Sequence, residues 1–398
     1  IYAGLIDYIK DFAKQNDYPV ELLSDFSEDD TELDTDQYFK EIGLTKQPRD
    51  YQIAAFLHAI KKRRSLLLSP TASGKSLIIY LIIRHLQIEN RKGLLIVPTT
   101  SLVEQMYKDF ADYGYDSDQY CHRQYSGKEK HTNMFLTITT WQSIYKNDKE
   151  YFEQFDFVLG DEAHQFKAKS LTTILSGCTN AKYRIGTTGT LDGTQTHKLV
   201  LEGLFGPVYK ATSTAELMEK GQLAAFKIKC LILKYDESIC KQARDWDYQS
   251  EIDYIVKSKP RNDFIKNLVL SLKGNTLVLF QFVEKHGKEL HALIKEHAKN
   301  RHVFFVFGGT DVEIRESVRS ITEKEKDAII VASYGTFSTG VNIRNLHNIV
   351  FASPSKSRIR NLQSIGRGLR IGDNKQEATL FDIADDFRAG KHTNYTLK

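Results

Sequence analysis

Residues 66–76 read Leu66-Leu67-Leu68-Ser69-Pro70-Thr71-Ala72-Ser73-Gly74-Lys75-Ser76, and the apolar stretch Leu77 to Ile83 follows at once. An apolar strand, a glycine-bearing loop and a helix, in that order, form a cradle for phosphates. Ser73, Gly74 and Lys75 can present backbone N–H groups and an ammonium to the β and γ phosphates, Ser76 can reach magnesium, and Thr71 and Ala72 complete the loop. Ser69 stands where such loops usually open with glycine, so the pattern alone also fits a solvated turn before a helix.

A second stretch supplies what the first lacks. Phe157-Val158-Leu159-Gly160 leads into Asp161-Glu162-Ala163-His164. Asp161 at a strand end is suited to hold Mg²⁺ through water, and Glu162 to position or deprotonate an attacking water. Adjacent carboxylates are costly there unless a cation is present. The two stretches together indicate nucleoside triphosphate hydrolysis. His164 either couples this site to another part of the molecule or is a satisfied turn histidine.

Outward from these stretches, the pattern predicts helix 50–62, strand 65–69, helix 75–88, strand 94–97 and helix 101–113, with further strands near 135–139, 156–160 and 183–187. Short apolar runs followed by amphipathic helices mark a parallel sheet covered on both faces, whose ligands sit beyond the carboxyl ends of the strands. Three separated segments then converge on one edge: the phosphate loop, the carboxylates and Thr187-Thr188. The pattern blurs near 211–225, and a hinge is expected between about 207 and 225, among Gly206, Pro207 and Gly221. A second alternation follows: strand 228–234, helix 261–272, strand 276–280, helix 284–299 and strand 303–306, then strands near 328–332, 348–352 and 377–383. The fold class is α/β, with two parallel-sheet domains.

The chain has 398 residues, a hydrophobic fraction of 41%, a charged fraction of 27% and a formal net charge of +4. That is an ordinary globular balance, and charge alone does not announce nucleic acid. No apolar run approaches the ~20 residues that cross a bilayer, so no membrane partner is expected. Cys121, Cys178, Cys230 and Cys240 lack metal-ligand spacing and fit a reducing cytoplasm. Residues 1–12 read as an apolar-periodic helix without a preceding cap, which suggests a missing upstream segment, and 24–36 is an acidic linker.

Near the other end, Gln363-Ser364-Ile365-Gly366-Arg367-Gly368-Leu369-Arg370 sets two arginines about one helical turn apart. An arginine from a second domain can stabilise charge on a transferring phosphoryl group; a basic surface helix is the alternative. Phe304-Phe305-Val306-Phe307 reads as a core strand, and Trp246 and Tyr248 are the better candidates for a base-stacking wedge.

The ordered set Arg49-Asp50-Tyr51-Gln52, 70–76, Ile96-Val97-Pro98-Thr99-Thr100, Thr139-Thr140-Trp141-Gln142, 161–164, Thr188-Gly189-Thr190, 332–342 and 363–370 resembles the superfamily 2 helicases. Ser333 to Gly340 and Gly203-Leu204-Phe205-Gly206 are similar to the UvsW-like branch-migration helicases of phages. The resemblance covers roughly 45–385. It implies two RecA-like domains, 46–215 and 216–398, with ATP and Mg²⁺ bound in the cleft between them, and a remnant of an accessory substrate-recognition domain over 1–45.

By the same resemblance, Gln52 with Arg49 would read adenine, and Lys75, Ser76, Asp161 and Glu162 would hold and hydrolyse the nucleotide. Gly340, Asn342, Gln363, Arg367 and Arg370 would meet it from the second domain. Pro98, Thr99, Thr100, Thr140 and Trp141 would contact a nucleic-acid strand, with Phe280, Gln281, Phe282, Ser333 and Tyr334 as second-domain counterparts. His164, Thr188 and Thr190 would couple hydrolysis to that contact. Thr188-Gly189-Thr190 departs from the more common Ser/Thr-Ala-Thr but keeps the hydroxyls. The implied activity is that of an ATP-dependent DNA helicase acting as a monomer on branched or forked DNA, including RNA–DNA hybrids in R-loops, in a phage host's cytoplasm. An RNA helicase, a restriction-type translocase and a non-hydrolysing nucleic-acid binder are the alternatives.

Overall fold

The computed structural model describes residues 2–21, 32–125, 132–166, 168–191, 195–339, 343, 345–354 and 377–387. The chain divides into two compact units, Ile1–Thr214 and Ala215–Lys398. Gly340, Asn342, Gln363, Arg367 and Arg370 lie outside the described residues.

In the first unit seven strands form one parallel sheet: β1 Arg64–Leu68, β2 Gly93–Val97, β3 Cys121–Gln124, β4 Leu136–Thr140, β5 Phe157–Gly160, β6 Tyr183–Thr188 and β7 Val208–Lys210. Their spatial order is β3-β4-β2-β5-β6-β1-β7. β2, β4 and β5 are buried along their whole length, as strands covered on both faces must be. The helix Lys75–Ile88 runs behind β1 with Leu77 to Ile83 and Leu86 all buried. Its middle, Leu77 to Ile83, is apolar all round because it is enclosed, and the helix's 14 residues reach about 21 Å, short of a bilayer core. No helix among the described residues is long and apolar enough to cross a membrane.

Residues 208–210, expected within the hinge, form instead the edge strand beside β1. Gly206 makes this possible. Its φ is +137°, and a Cβ there would lie 2.5 Å from the carbonyl carbon of Arg64. The N-terminal helix Ile6–Gln15 belongs to the same unit: the backbone at Gly4 meets that of Glu202 and Gly203, and Tyr8 Oη donates to Glu202 Oε2 at 2.8 Å.

The second unit carries six parallel strands: β8 Ala225–Lys234, β9 Thr276–Phe280, β10 Val303–Val306, β11 Ile329–Ser333, β12 Asn348–Phe351 and β13 Glu377–Asp386. Their order is β10-β11-β9-β12-β13-β8. β9, β11 and β12 are wholly buried, whereas β8 forms an exposed edge paired with β13. The helices Lys259–Ser271 and Lys288–His297 cover one face through Ile265, Val269, Leu290 and Ile294.

Candidate active site

β1 ends at Leu68, and the chain turns through Ala72 and Gly74, both in the left-handed region at φ +68° and +77°, into the helix that opens at Lys75. The loop is braced from within and from behind. Ser69 Oγ and Ser73 Oγ are 2.6 Å apart, and Ser69 N–H donates to Thr188 O. Gln52 Nε2 donates to the carbonyls of Ser73 and Gly74, while its Oε1 accepts from Arg49 N–H, capping the helix Asp50–Lys62. Tyr51 Oη also donates to Ser73 O, at 2.6 Å. Gln52 therefore ties the phosphate loop, through Nε2, to the start of the helix Asp50–Lys62, through Oε1. The exposed Arg49 donates its guanidinium to Tyr51 Oη at 3.2 Å.

β5 pairs with β6 so that Gly160 faces Gly186, which sets Asp161 beside Thr187 at the same carboxyl edge. Thr187 Oγ1 donates to Asp161 Oδ1 at 2.6 Å, and Asp161 N–H to Ile96 O. Asp161 is only 4% exposed; burial, then the neighbouring Glu162 charge, push its carboxyl above the ordinary range, against the pull of Lys75 and Thr187. Glu162 takes a left-handed backbone, φ +49°, uncommon outside glycine and consistent with strain kept at a functional turn. Its Oε1 lies 3.0 Å from Lys75 Nζ.

The donor set fits a hard divalent cation. Carboxylate and hydroxyl oxygens are what Mg²⁺ selects, and a buried Asp161 whose charge is disfavoured by its surroundings is a group that such a cation would stabilise. Ser76 Oγ lies 2.8 Å from Tyr113 Oη, so its hydroxyl must turn from that partner to reach a metal. A Cβ on Gly189 would stand 3.3 Å from Lys75 Nζ and 3.4 Å from both Thr71 N and Thr71 Oγ1. Glycine there leaves the phosphate side of the lysine open.

His164, Thr188 and Thr190 come together. Thr188 Oγ1 donates to Thr190 O at 2.7 Å and lies 2.6 Å from His164 Nδ1. A hydroxyl with its proton spent on a carbonyl accepts, so His164 carries its proton on Nδ1.

Of the residues expected to touch a strand, five lie where β2 and β4 end side by side, Val97 opposite Thr140. Pro98 is buried and its carbonyl accepts from Gln142 Nε2; Thr99 Oγ1 caps the helix Thr100–Asp112; Thr100 is exposed. Thr140 Oγ1 pairs with Ser143 Oγ, and Trp141 is half-buried with its ring beside Tyr145. In the second unit three expectations need correction. Phe280 is fully buried and stacked on Phe305, and Tyr334 is 1% exposed with its hydroxyl on Ser353 O, so neither side chain can touch a strand. Ser333 is also buried, bonded to Thr336, which leaves Gln281 and Phe282 half-exposed at the end of β9. Trp246 is likewise not a free wedge: it packs on Tyr254 and Phe387, while Tyr248 is 39% exposed.

Sequence reasoning overlooked Tyr51 as a brace and Tyr113 as the partner of Ser76. Tyr51 stands inside the Arg49–Gln52 pattern, which was the available signal; Tyr113 had none.

The family described as type III restriction enzyme, res subunit, matches residues 45–193, and the helicase conserved C-terminal domain matches 260–372. The chain is 34% identical over 421 residues to the ATP-dependent DNA helicase uvsW of Enterobacteria phage T4, covering 99% of this chain and 83% of that protein. It is 23% identical to the DNA 3'-5' translocase XPB2 of Sulfurisphaera tokodaii, over 84% of this chain and 81% of that one. Among solved structures, the DUF1998 helicase MrfA bound to DNA superposes with a TM-score of 0.65 at 15% identity, over 91% of this chain and 53% of that one. Saccharomyces cerevisiae Dbp5 superposes at 0.62 and 12%, over 87% and 89%. These two likenesses concern the fold alone.

Proposed function

We propose, from the premise that this chain belongs to the superfamily 2 helicases and to the family of phage T4 uvsW, that it is an ATP-dependent DNA helicase that remodels branched DNA by branch migration. The observation that carries the chemistry is the 3.0 Å contact between Lys75 Nζ and Glu162 Oε1, which joins the phosphate loop to the acidic pair. The same ammonium serves two partners in turn. Without nucleotide it neutralises Glu162; with ATP bound it turns to the phosphates, and Glu162 is released to orient and deprotonate the attacking water. Thr187 holds the Asp161 carboxylate in place throughout. Ser76 and Asp161 would hold Mg²⁺, which would supply neutralising charge on the phosphate oxygens.

Thr99, Thr100, Thr140, Trp141, Gln281 and Phe282 grip the DNA backbone, through hydroxyls and backbone amides rather than a large basic field. Forks, four-way junctions and R-loops are the substrates, with the chain acting as a monomer in the host cytoplasm.

The test is DNA-stimulated ATP hydrolysis. Glu162→Gln removes the base and keeps the shape, and is expected to lower the rate by about 10²- to 10⁴-fold while nucleotide still binds. Wild-type turnover in Glu162→Gln would overturn the assignment of this edge as the active site.

A further inference from the structure

At the carboxyl edge of the second sheet lies a buried polar cluster outside the site just described. β9 ends at Phe280, and after Gln281 and Phe282 the chain makes a single π turn, Val283–Gly287, with Gly287 N–H donating to Phe282 O at 2.8 Å. Such wide turns are rare and recur at functional positions. Gly287 is required because a Cβ would come within 2.5 Å of the Phe280 ring. The turn carries His286 inward to zero exposure.

The hydrogen bonds of this cluster run in one direction. Gln281 N–H can only donate, and it reaches Ser353 Oγ at 3.1 Å. Asn262 Oδ1 can only accept, and His286 Nε2 lies 3.1 Å from it, so the imidazole proton is on Nε2. His286 Nδ1 is then an acceptor, and Ser353 O–H donates to it at 2.9 Å. Asn262 Nδ2 closes the series on Val256 O. Burial holds the imidazole neutral by pushing its pKa down to about 3, so the order of donors is kept at ordinary pH.

Ser353 and its predecessor are held from two more sides. Tyr334 Oη donates to Ser353 O at 2.8 Å, and Arg261 Nη1 to Ala352 O at 2.7 Å. Arg261 is itself fixed by Asp385, Nε to Oδ1 at 2.7 Å and Nη2 to Oδ2 at 3.0 Å. Ala352 and Ser353 are the exit of β12, and in sequence that exit leads on to Gln363, Arg367 and Arg370. A fully satisfied buried network gives a single arrangement, and breaking one member leaves others unpaired in a low dielectric.

We infer that His286 and Ser353 are positioning residues that lock the DNA-facing turn at Gln281 and Phe282 to the exit of β12, so that strand contact changes the rate of hydrolysis. The inference rests on the helicase reading above. Neither side chain touches substrate; each acts through the backbone it holds.

The experiment measures ATP hydrolysis by the full chain across a titration of single-stranded DNA, with thermal melting recorded in parallel, for wild type, Ser353→Ala, His286→Leu and His286→Gln. Ser353→Ala and His286→Leu are expected to lose about tenfold of the stimulation by DNA and to need more DNA for half-maximal effect, as for a coupling set by one or two hydrogen bonds. His286→Gln is expected to restore it to within about twofold, because an amide can accept from Ser353 and donate to Asn262. If His286→Leu does not fold, Ser353→Ala decides alone. Variants that melt lower but keep wild-type stimulation and DNA affinity would overturn the positioning role. A wild-type chain whose hydrolysis ignores DNA would overturn the helicase reading instead, and this inference with it.

Discussion

Lys75, Glu162 and Asp161 show how one edge of a sheet can store charge before substrate arrives. Asp161 is buried, Glu162 is adjacent, and the lysine is the cation that makes the pair tolerable. Beside them the His164–Thr188–Thr190 series links the acidic turn to the end of β6. Thr188→Val removes the acceptor for His164 Nδ1–H while keeping the shape. A hydrogen bond of about 1.4 kcal/mol corresponds to about tenfold, so duplex unwinding is expected to fall by that much, with ATP hydrolysis held within about twofold. Equal losses in parallel unwinding and hydrolysis assays would assign Thr188 to chemistry rather than to coupling. The chemistry-bearing residues were readable because their types are demanded by charge: a lysine, two acids and small hydroxyls at strand ends. Tyr113 and the brace from Tyr51 were not, since each depends on which side chain a neighbouring helix happens to bring close.

Among the elements, strands buried on both faces were the easiest to read, since Leu94 to Ile96 or Leu277 to Leu279 admit few other roles. β3, Cys121–Gln124, was missed because a sheet-edge strand of Cys-His-Arg-Gln has no apolar run to betray it. The helix Tyr248–Lys257 was also missed: its buried stripe of Ile252, Ile255 and Val256 is short and shares its face with a buried Glu251. With no helix expected there, Trp246 reads as a wedge candidate, whereas it packs on Tyr254 of that helix and on Phe387 just after β13. The Arg261–Asp385 pair joins the helix Lys259–Ser271 to the end of β13, and neither side chain is more than 2% exposed. Arg261→Leu leaves Asp385 buried without its cation and is expected to cost about 3–5 kcal/mol in urea unfolding. The double variant Arg261→Leu/Asp385→Leu should recover much of that loss, because an apolar pair of similar volume has no charge to desolvate. A double variant as unstable as the single one would mean that the pair's worth lies in its bonds to Ala352 and Tyr235.

For the molecule as a whole, two parallel-sheet units divide the work so that the phosphate loop and acidic pair belong to the first unit and the clamp at β12 to the second. That there are two sheets was legible from the two runs of alternation, and the blur between them near 211–225 holds the short helix Thr214–Glu219, while 208–210 serve as the edge strand β7. Which DNA the motor takes is not written in charge, since a net +4 is compatible with the proposed grip on backbone through hydroxyls and amides. The most direct measurement is therefore ATP-dependent dissociation of a labelled four-way DNA junction, set against a linear DNA duplex and an RNA duplex, with Lys75→Ala as the inactive control. The account predicts that wild type dissociates the junction faster than either duplex and that Lys75→Ala dissociates none of them; preference for the RNA duplex, or junction dissociation that persists in Lys75→Ala, would contradict it.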